Sequence, residues 1–225
     1  MFRVSKLWEA TFPGANAGVL VMRDVNNPTQ HTALEERRLA LEQRLRSHYA
    51  GLDRKAIKSD LVMQAYDAYY RRFKKTYHVR LQLESIVFKG KSIPSGTLLV
   101  EAMFMAELKN MLLTAGHDLD SVQLPITLDV SRGEERYTLL RGSEQVTKAG
   151  DMMMLDQDGI ISSILYGPDR RTRIRTETRN VVFTVYAPPG VEEKRIEQHL
   201  QDIQETVLLA CPEAQTEMLQ VFSAG

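Results

Sequence analysis

One short stretch near the middle of the chain combines side chains that could perform acid–base chemistry. Residues 114–120 read Thr-Ala-Gly-His-Asp-Leu-Asp and follow an apolar run typical of a buried helix. Gly116 can adopt the left-handed conformation that ends a helix, so we expect a loop after it. In that loop His117 could position or deprotonate a water molecule, with Asp118 or Asp120 orienting its ring. The alternative interpretation is that an aspartate caps a turn and His117 is an exposed polar side chain.

A second stretch, residues 167–179, concentrates positive charge, with five arginines and two acidic residues. In an extended conformation Arg173 and Arg175 would lie on the same side of the chain. The guanidinium groups of Arg171, Arg173 and Arg175 suit phosphate or carboxylate oxygens, which indicates an anionic ligand. The alternative is a solvated loop whose arginines pair with the acidic residues of the same stretch.

A third stretch, residues 69–78, interleaves aromatic and basic side chains. Its cations are Arg71, Arg72, Lys74 and Lys75. Aromatic faces and cations together can stack bases and follow a phosphate backbone, so this stretch is a candidate RNA contact. Alternatively, the aromatic residues pack into the core, and the cations are solvated at a helix C-terminus that favours positive charge.

Two acidic residues fall within the apolar stretch 97–114. Glu101 and Glu107 would be buried there, and a buried carboxylate needs a partner. Lys109 and Arg141 are candidate partners, although sequence alone cannot pair them.

Composition and motifs exclude several classes of protein. The chain has 225 residues and no net charge, so any RNA contact requires a local basic patch. Its one cysteine, Cys211, excludes an internal disulfide and a multi-cysteine metal site. The phosphate-loop, dinucleotide-binding, zincin and α/β-hydrolase motifs are absent. We find no signal sequence or membrane-spanning run and expect a cytoplasmic protein.

The order of the predicted elements indicates an α+β protein. Helical spacing predicts helices near residues 34–49, 56–75, 81–88, 97–114 and 191–210. Short β-rich runs between turn residues predict strands at 16–24, 125–130, 136–140, 152–156, 159–166 and 180–187. No linker divides the chain, so we expect one domain over residues 1–225.

Several weak motifs occur in the order found in one known family. They lie at residues 70–73, 83–85, 89–94, 100–101, 117–120, 142–144, 150–156, 162–167 and 177–183. Together, over residues 15–210, they resemble the B3/B4 domain of the phenylalanyl-tRNA synthetase β subunit, here as a freestanding chain.

The resemblance implies a three-layer β-β-α sandwich with a pocket that holds a water molecule against an aminoacyl ester. It also implies tRNA or aminoacyl-tRNA as partner, hydrolysis of mischarged aminoacyl-tRNA as the activity, and no metal ion or organic cofactor. Two alternatives stay open. One is a non-catalytic module that binds RNA or an amino-acid-like metabolite, and the other is an enzyme acting on small amino-acid-like molecules.

Transferred to this chain, the resemblance implies three catalytic residues, His117, Asp120 and Ser163. The implied substrate-binding residues are Ser162, Thr178, Thr184 and Glu101. Thr184 stands where the family carries its tyrosine-reading glutamate, so we do not expect the family's discrimination for tyrosine. These side chains must line one common cavity if they are to hold an aminoacyl group.

Overall fold

The computed structural model describes residues 1–225 and contains seven α-helices and eleven strands. The helices are α1 (Lys6–Thr11), α2 (Thr32–His48), α3 (Arg54–Lys58), α4 (Leu61–Arg72), α5 (His78–Lys89), α6 (Leu98–Asn110) and α7 (Glu193–Ala210). The strands are β1 (Phe2–Val4), β2 (Asn16–Arg23), β3 (Leu113–Asp118), β4 (Ile126–Val130), β5 (Arg136–Thr138), β6 (Glu144–Val146), β7 (Met152–Asp156), β8 (Gly159–Ser163), β9 (Gly167–Pro168), β10 (Val181–Ala187) and β11 (Gln215–Ser223).

The strands form two larger sheets and a small hairpin. One sheet has five strands in the order β1-β4-β7-β8-β9, the other has four in the order β11-β2-β10-β3, and β5 pairs with β6. Only β1 and β4 run parallel. The pairing of β10 with β3 sets Val182 opposite His117 and Phe183 opposite Gly116.

The two sheets and the helices are stacked in three layers. Helix α7 packs against β2, where a Cβ atom on Gly18 would lie 2.5 Å from Cγ2 of Ile196, so glycine permits the close approach. On the opposite face of this sheet, the Tyr186 hydroxyl lies 2.5 Å from Oγ of Ser162 in β8. The predicted α+β class with its β-β-α layers is confirmed.

One cluster of 57 buried hydrophobic residues runs through these layers. Helix α6 lies deep within it, as its apolar sequence predicts, and contacts both α7 and β3. A separate cluster of four residues lies beneath the β5–β6 hairpin. None of the helices is both long and apolar enough to cross a bilayer.

The helix predicted over residues 56–75 is divided in two. Helix α3 ends at Lys58, and the carboxylate of Asp60 then accepts hydrogen bonds from the backbone N–H groups of Val62 and Met63, at 2.9 and 3.3 Å. An aspartate in this position satisfies donors that have no partner within the helix, so α4 begins as a new helix.

The helix predicted over residues 97–114 is too long, and the loop expected after it is wrong. Helix α6 ends at Asn110, where Met111 adopts a left-handed conformation with φ of 61° and donates its N–H to the carbonyl of Glu107 at 2.7 Å. Strand β3 follows directly. Gly116 is therefore not a helix cap, and His117 lies in a buried strand.

Other boundaries also differ from the sequence prediction. The strands predicted at 136–140 and 159–166 end early, at Thr138 and Ser163. Strands β1 and β11 and helix α1, all close to a terminus, were not predicted. Strand β11 forms an edge of its sheet and is largely exposed, so its sequence lacks the regular apolar alternation of a half-buried strand.

Candidate functional site

A cavity of about 380 Å³ lies between helices α5 and α6, strand β3 and the segment around β9. Val100, Met103 and Phe104 of α6 form an apolar wall, and Ile174 faces the cavity from the chain after β9. Leu140 covers one side. The cavity is mostly apolar with a few polar groups, which is the usual character of a small-molecule site.

Strand β3 forms one wall of this cavity. Its first residue, Leu113, lines the cavity, and so do Thr114 and Gly116, whereas Ala115 and His117 point to the opposite face, as the two-residue period of a strand requires. A Cβ atom on Gly116 would lie 2.7 Å from Cδ1 of Ile174, so glycine lets the Ile174 side chain pack directly on the strand.

Glu107 is the buried acid of the cavity and is only 2% exposed. Its Oε1 accepts a hydrogen bond from the backbone N–H of Thr114 at 2.8 Å, and no protein group bonds to Oε2. Burial raises the pKa of Glu107 to about 8, although the Thr114 hydrogen bond opposes the shift. The carboxyl group is therefore mainly protonated at neutral pH and can donate a hydrogen bond.

Three further polar side chains line the cavity, namely His78, Gln82 and Arg173. His78 lies 3.3 Å from the Tyr70 hydroxyl through Nδ1, and burial lowers its pKa to about 4, so the ring is neutral. Arg173 donates one N–H to the carbonyl of Arg170 at 2.7 Å. Arg173 is the only cation that lines the cavity.

A buried hydrogen-bonded chain holds Thr114 from behind. Its hydroxyl lies 2.6 Å from Nε2 of His199 in α7, and burial lowers the pKa of His199 to about 4. Nδ2 of Asn110 lies 3.4 Å from Nδ1 of His199 and donates to Asp202 at 2.7 Å. Lys109 also pairs with Asp202, at 2.7 Å. These contacts fix the start of β3, and with it the backbone N–H that holds Glu107.

A groove of about 420 Å³ adjoins the cavity and shares Leu140 and Pro168 with it. The groove carries two cations, Lys75 and the exposed Arg141. Nζ of Lys75 lies 4.2 Å from the centroid of the Tyr166 ring, within the range of a cation–π interaction. Burial, and then the charge of Lys148, lower the pKa of Lys75.

More cations lie beyond the groove, around a broad shallow depression. They are Arg72, Lys74, Arg132 and Lys148, accompanied by Glu134. The Arg72 guanidinium lies over the rings of Phe12, Tyr69 and Phe73 at 5.4–5.6 Å. Neither these cations nor Arg71, Lys75 and Arg141 form an ion pair. The alternative interpretation of residues 69–78 also holds in part, because Tyr69, Tyr70 and Phe73 are buried.

The catalytic residues expected from sequence do not meet in this cavity. His117 is fully buried on the far face of β3, and its Nδ1 lies 2.8 Å from Oγ1 of Thr172. Burial lowers the pKa of His117 to about 3. Oγ of Ser163 accepts a hydrogen bond from the Tyr137 hydroxyl at 3.3 Å. The carboxylate of Asp120 accepts two hydrogen bonds, both from the Asn180 side chain.

The residues expected to bind substrate are also separated from the cavity. Ser162 and Thr184 are fully buried between the sheets, where Thr184 donates to the carbonyl of Ala115 at 3.3 Å. Thr178 donates to Asp118 at 3.0 Å. The expected common cavity is therefore absent, because packed and hydrogen-bonded side chains fill that space.

Glu101 lies on another face of α6. It accepts a hydrogen bond from the N–H of Gly96 at 2.8 Å and lies 3.8 Å from Nε of Arg38. Arg38 also lies 3.6 Å from Glu42, so Glu101 belongs to a charged network that ties the chain before α6 to α2. Neither Lys109 nor Arg141, the partners considered from sequence, reaches it.

Two of the three arginines expected to bind an anion are already paired. Arg171 donates two hydrogen bonds to the carboxylate of Asp156, at 2.8 and 2.9 Å. Burial opposes ionisation of Asp156, but the Arg171 contact and backbone hydrogen bonds lower its pKa overall. Arg175 pairs with Asp118 at 3.3 Å. Buried carboxylates thus already contact both guanidinium groups, and anion binding by Arg171 and Arg175 stays a prediction.

Some residues in and behind the cavity carry no signal that the sequence analysis singled out. Met103 lies within the apolar run 97–114, but it is only half-buried and lines the cavity. His199 occurs three residues after Ile196 and one before Leu200, so helical spacing could have placed it on the buried face of α7. No group of three or more His, Cys, Asp or Glu side chains is arranged to hold a metal ion.

The fold is similar to that of a crystallised N-terminal fragment of the phenylalanyl-tRNA synthetase β subunit from Pyrococcus horikoshii. The TM-score is 0.52 and the sequence identity 10%, over 98% of this chain and 53% of that one. This chain thus spans about half the length of the fragment. No protein-family model and no curated protein matches it. At this identity, the likeness shows a shared fold.

Proposed function

We propose that this chain binds the aminoacylated end of an RNA. The aminoacyl group would occupy the cavity between α5, α6 and β3, and nearby phosphates would contact Lys75 and Arg141 in the adjoining groove. The observation that carries the proposal is that the cavity and the groove share a wall, formed by Leu140 and Pro168. A ligand with an apolar head and an anionic tail can occupy both at once.

The unpaired cations support the nucleic-acid part of the proposal. Arg72, Lys74, Arg132 and Lys148 extend the positive surface beyond the groove, although the chain has no net charge. Cations without carboxylate partners are free to release counterions from phosphates on binding. The fold shared with part of a tRNA synthetase subunit is consistent with an RNA-related role.

Binding, rather than ester hydrolysis, is the activity proposed. The expected catalytic side chains, His117 and Ser163, are buried away from the cavity. A catalytic group has to come within hydrogen-bond reach of the reacting atoms.

The test compares an RNA minihelix carrying an apolar amino acid with the same minihelix uncharged. We expect the charged form to bind more tightly, and Met103→Trp, which fills the cavity, to remove that difference. Lys75→Glu and Arg141→Glu should weaken both forms, whereas Lys194→Glu on the exposed face of α7 serves as the matched charge control.

Salt dependence provides a second measurement. If three phosphates of a single strand are contacted, affinity should fall roughly twentyfold between 50 and 200 mM salt. Equal affinity for charged and uncharged minihelices, or affinity indifferent to salt, would contradict the proposal.

A second candidate is a module that binds a small amino-acid-like molecule. It is favoured by the mostly apolar cavity with a single buried acid, which needs no RNA to be filled. Salt-independent binding of an amino-acid methyl ester, without any binding of a minihelix, would support this candidate instead.

A further inference from the structure

Glu107 has an unused hydrogen-bonding position within the cavity. One carboxyl oxygen is held by the backbone N–H of Thr114, while the other has no protein partner. The side chain is only 2% exposed and lines the cavity, so a ligand in the cavity can reach the unpaired oxygen. Such a ligand exchanges a solvent contact for a direct hydrogen bond, which an apolar, low-dielectric cavity strengthens.

The groups around Glu107 leave its carboxyl uncharged. Those that face it or line the same cavity are Tyr66, Tyr70, Tyr77, His78, Arg173 and, through Thr114, His199. Burial raises the pKa of the three tyrosines and lowers those of both histidines, so all five are neutral. Lys109, on the same helix, is paired with Asp202. Only the Thr114 hydrogen bond lowers the pKa of Glu107.

We propose that Glu107 acts as a hydrogen-bond donor that selects ligands carrying an uncharged oxygen acceptor beside an apolar group. This inference rests on the proposed function, because it assigns the chemistry of the group that enters the same cavity. The ester or side-chain carbonyl of an aminoacyl group, or a side-chain hydroxyl, would provide that acceptor.

An ammonium group on the ligand is the competing partner for Glu107. It would require an ionised carboxylate, and both charges would have to be buried in an apolar cavity that already contains Arg173. The desolvation of two ions often exceeds their attraction, whereas a neutral acid donating to a carbonyl avoids this cost. The acceptor is therefore favoured over the ammonium.

Three probes of matched size separate these chemistries: benzylacetone, which carries a ketone, the hydrocarbon butylbenzene, and 4-phenylbutan-2-amine. Calorimetry or ligand-observed NMR on the whole chain should give tightest binding for the ketone near neutral pH. The affinity for the ketone should then fall roughly tenfold from pH 7 to pH 9, because it is proportional to the fraction of the protein in which Glu107 is protonated. The hydrocarbon should bind equally at both pH values.

The Glu107→Gln variant is the decisive change. The amide can accept from Thr114 and donate to the ketone, so affinity should persist and lose its pH dependence. Glu107→Leu should bind ketone and hydrocarbon alike, and Glu197→Gln on the exposed face of α7 is the control. Because Glu107→Leu leaves the Thr114 N–H unsatisfied and could unfold the chain, the pH profile of Glu107→Gln decides the matter by itself.

Several outcomes would overturn the inference. These are a ketone that binds no better than the hydrocarbon, an amine whose affinity is highest and rises with pH, a pH response that persists in Glu107→Gln, or no binding of any probe. Failure of the proposed function gives a different pattern: the ketone behaves as expected, but charged and uncharged minihelices bind equally.

Discussion

Asp151 is a second buried carboxyl group, and its surroundings couple stability to pH. It is fully buried, the Tyr69 hydroxyl donates to Oδ1 at 2.7 Å, and Oδ2 has no partner. Burial raises its pKa from 3.8 to about 7, although the hydrogen bond from Tyr69 and the charge of Lys75 oppose the shift. The folded state therefore binds more protons than the unfolded state between those two values, and stability should fall as pH rises through that window.

Replacing Asp151 with asparagine tests this coupling. The amide retains the acceptor for Tyr69 and cannot ionise, so the loss of stability between about pH 5 and about pH 8 should become smaller. Urea midpoints at the two pH values provide the measurement. Glu107 acts in an overlapping range, so the comparison is made in a Glu107→Gln background. An unchanged slope in the double variant would show that the Asp151 carboxyl is not the coupled group.

At the scale of elements, the Asp60 cap separates α3 from α4. The carboxylate satisfies two backbone donors at the start of α4, a helix whose Tyr66, Tyr69 and Tyr70 are buried in the core. Asp60→Ala should lower the free energy of unfolding by about 1 kcal/mol, as measured by urea denaturation. Asp53, which caps the five-residue helix α3, is the matched control, and Asp53→Ala should cost less. Equal losses would show that cap strength does not depend on the helix that follows.

The sequence predicted elements better than it predicted the site. Long periodic or apolar runs were located correctly because tertiary packing reinforces their pattern, as in α6 and α7. The boundary after α6 was missed because Met111, not a glycine, takes the left-handed conformation, and Leu113 continues the apolar run. Residues 113–118 were predicted to be a loop, which would have left His117 accessible. In the structure they form β3, whose alternation points His117 into the core and presents Thr114 and Gly116 to the cavity.

Sequence also identified chemical groups without their partners. Glu107 was recognised as a buried acid, but the group that holds it is the backbone N–H of Thr114, which no side-chain pattern reveals. Arg171 and Asp156 are fifteen residues apart and meet through the folding of β7, β8 and β9. Such pairs depend on sheet topology, so residue types alone could not distinguish a free cation from a paired one.

For the whole molecule, we propose that residues 1–225 form one cooperative unit. The large core cluster includes Trp8 of α1, residues of both sheets (from β2, β3, β4, β7, β8 and β10), and residues of helices α4 to α7. Trp8 is fully buried and is the only tryptophan, so its fluorescence reports on the region where α1 packs against β4. Far-UV circular dichroism reports mainly on the helices at the other side of the four-stranded sheet.

The two signals should therefore change together. Because no linker separates the layers and one core joins them, urea unfolding followed by Trp8 fluorescence and by circular dichroism should give the same midpoint and the same slope. Ile203→Ala in α7 removes a fully buried side chain remote from Trp8. It should lower the free energy of unfolding by about 2–5 kcal/mol, by the same amount with either signal. A shift confined to the circular dichroism curve would mean that the helical layer unfolds independently of the five-stranded sheet, and the chain would then contain two cooperative units.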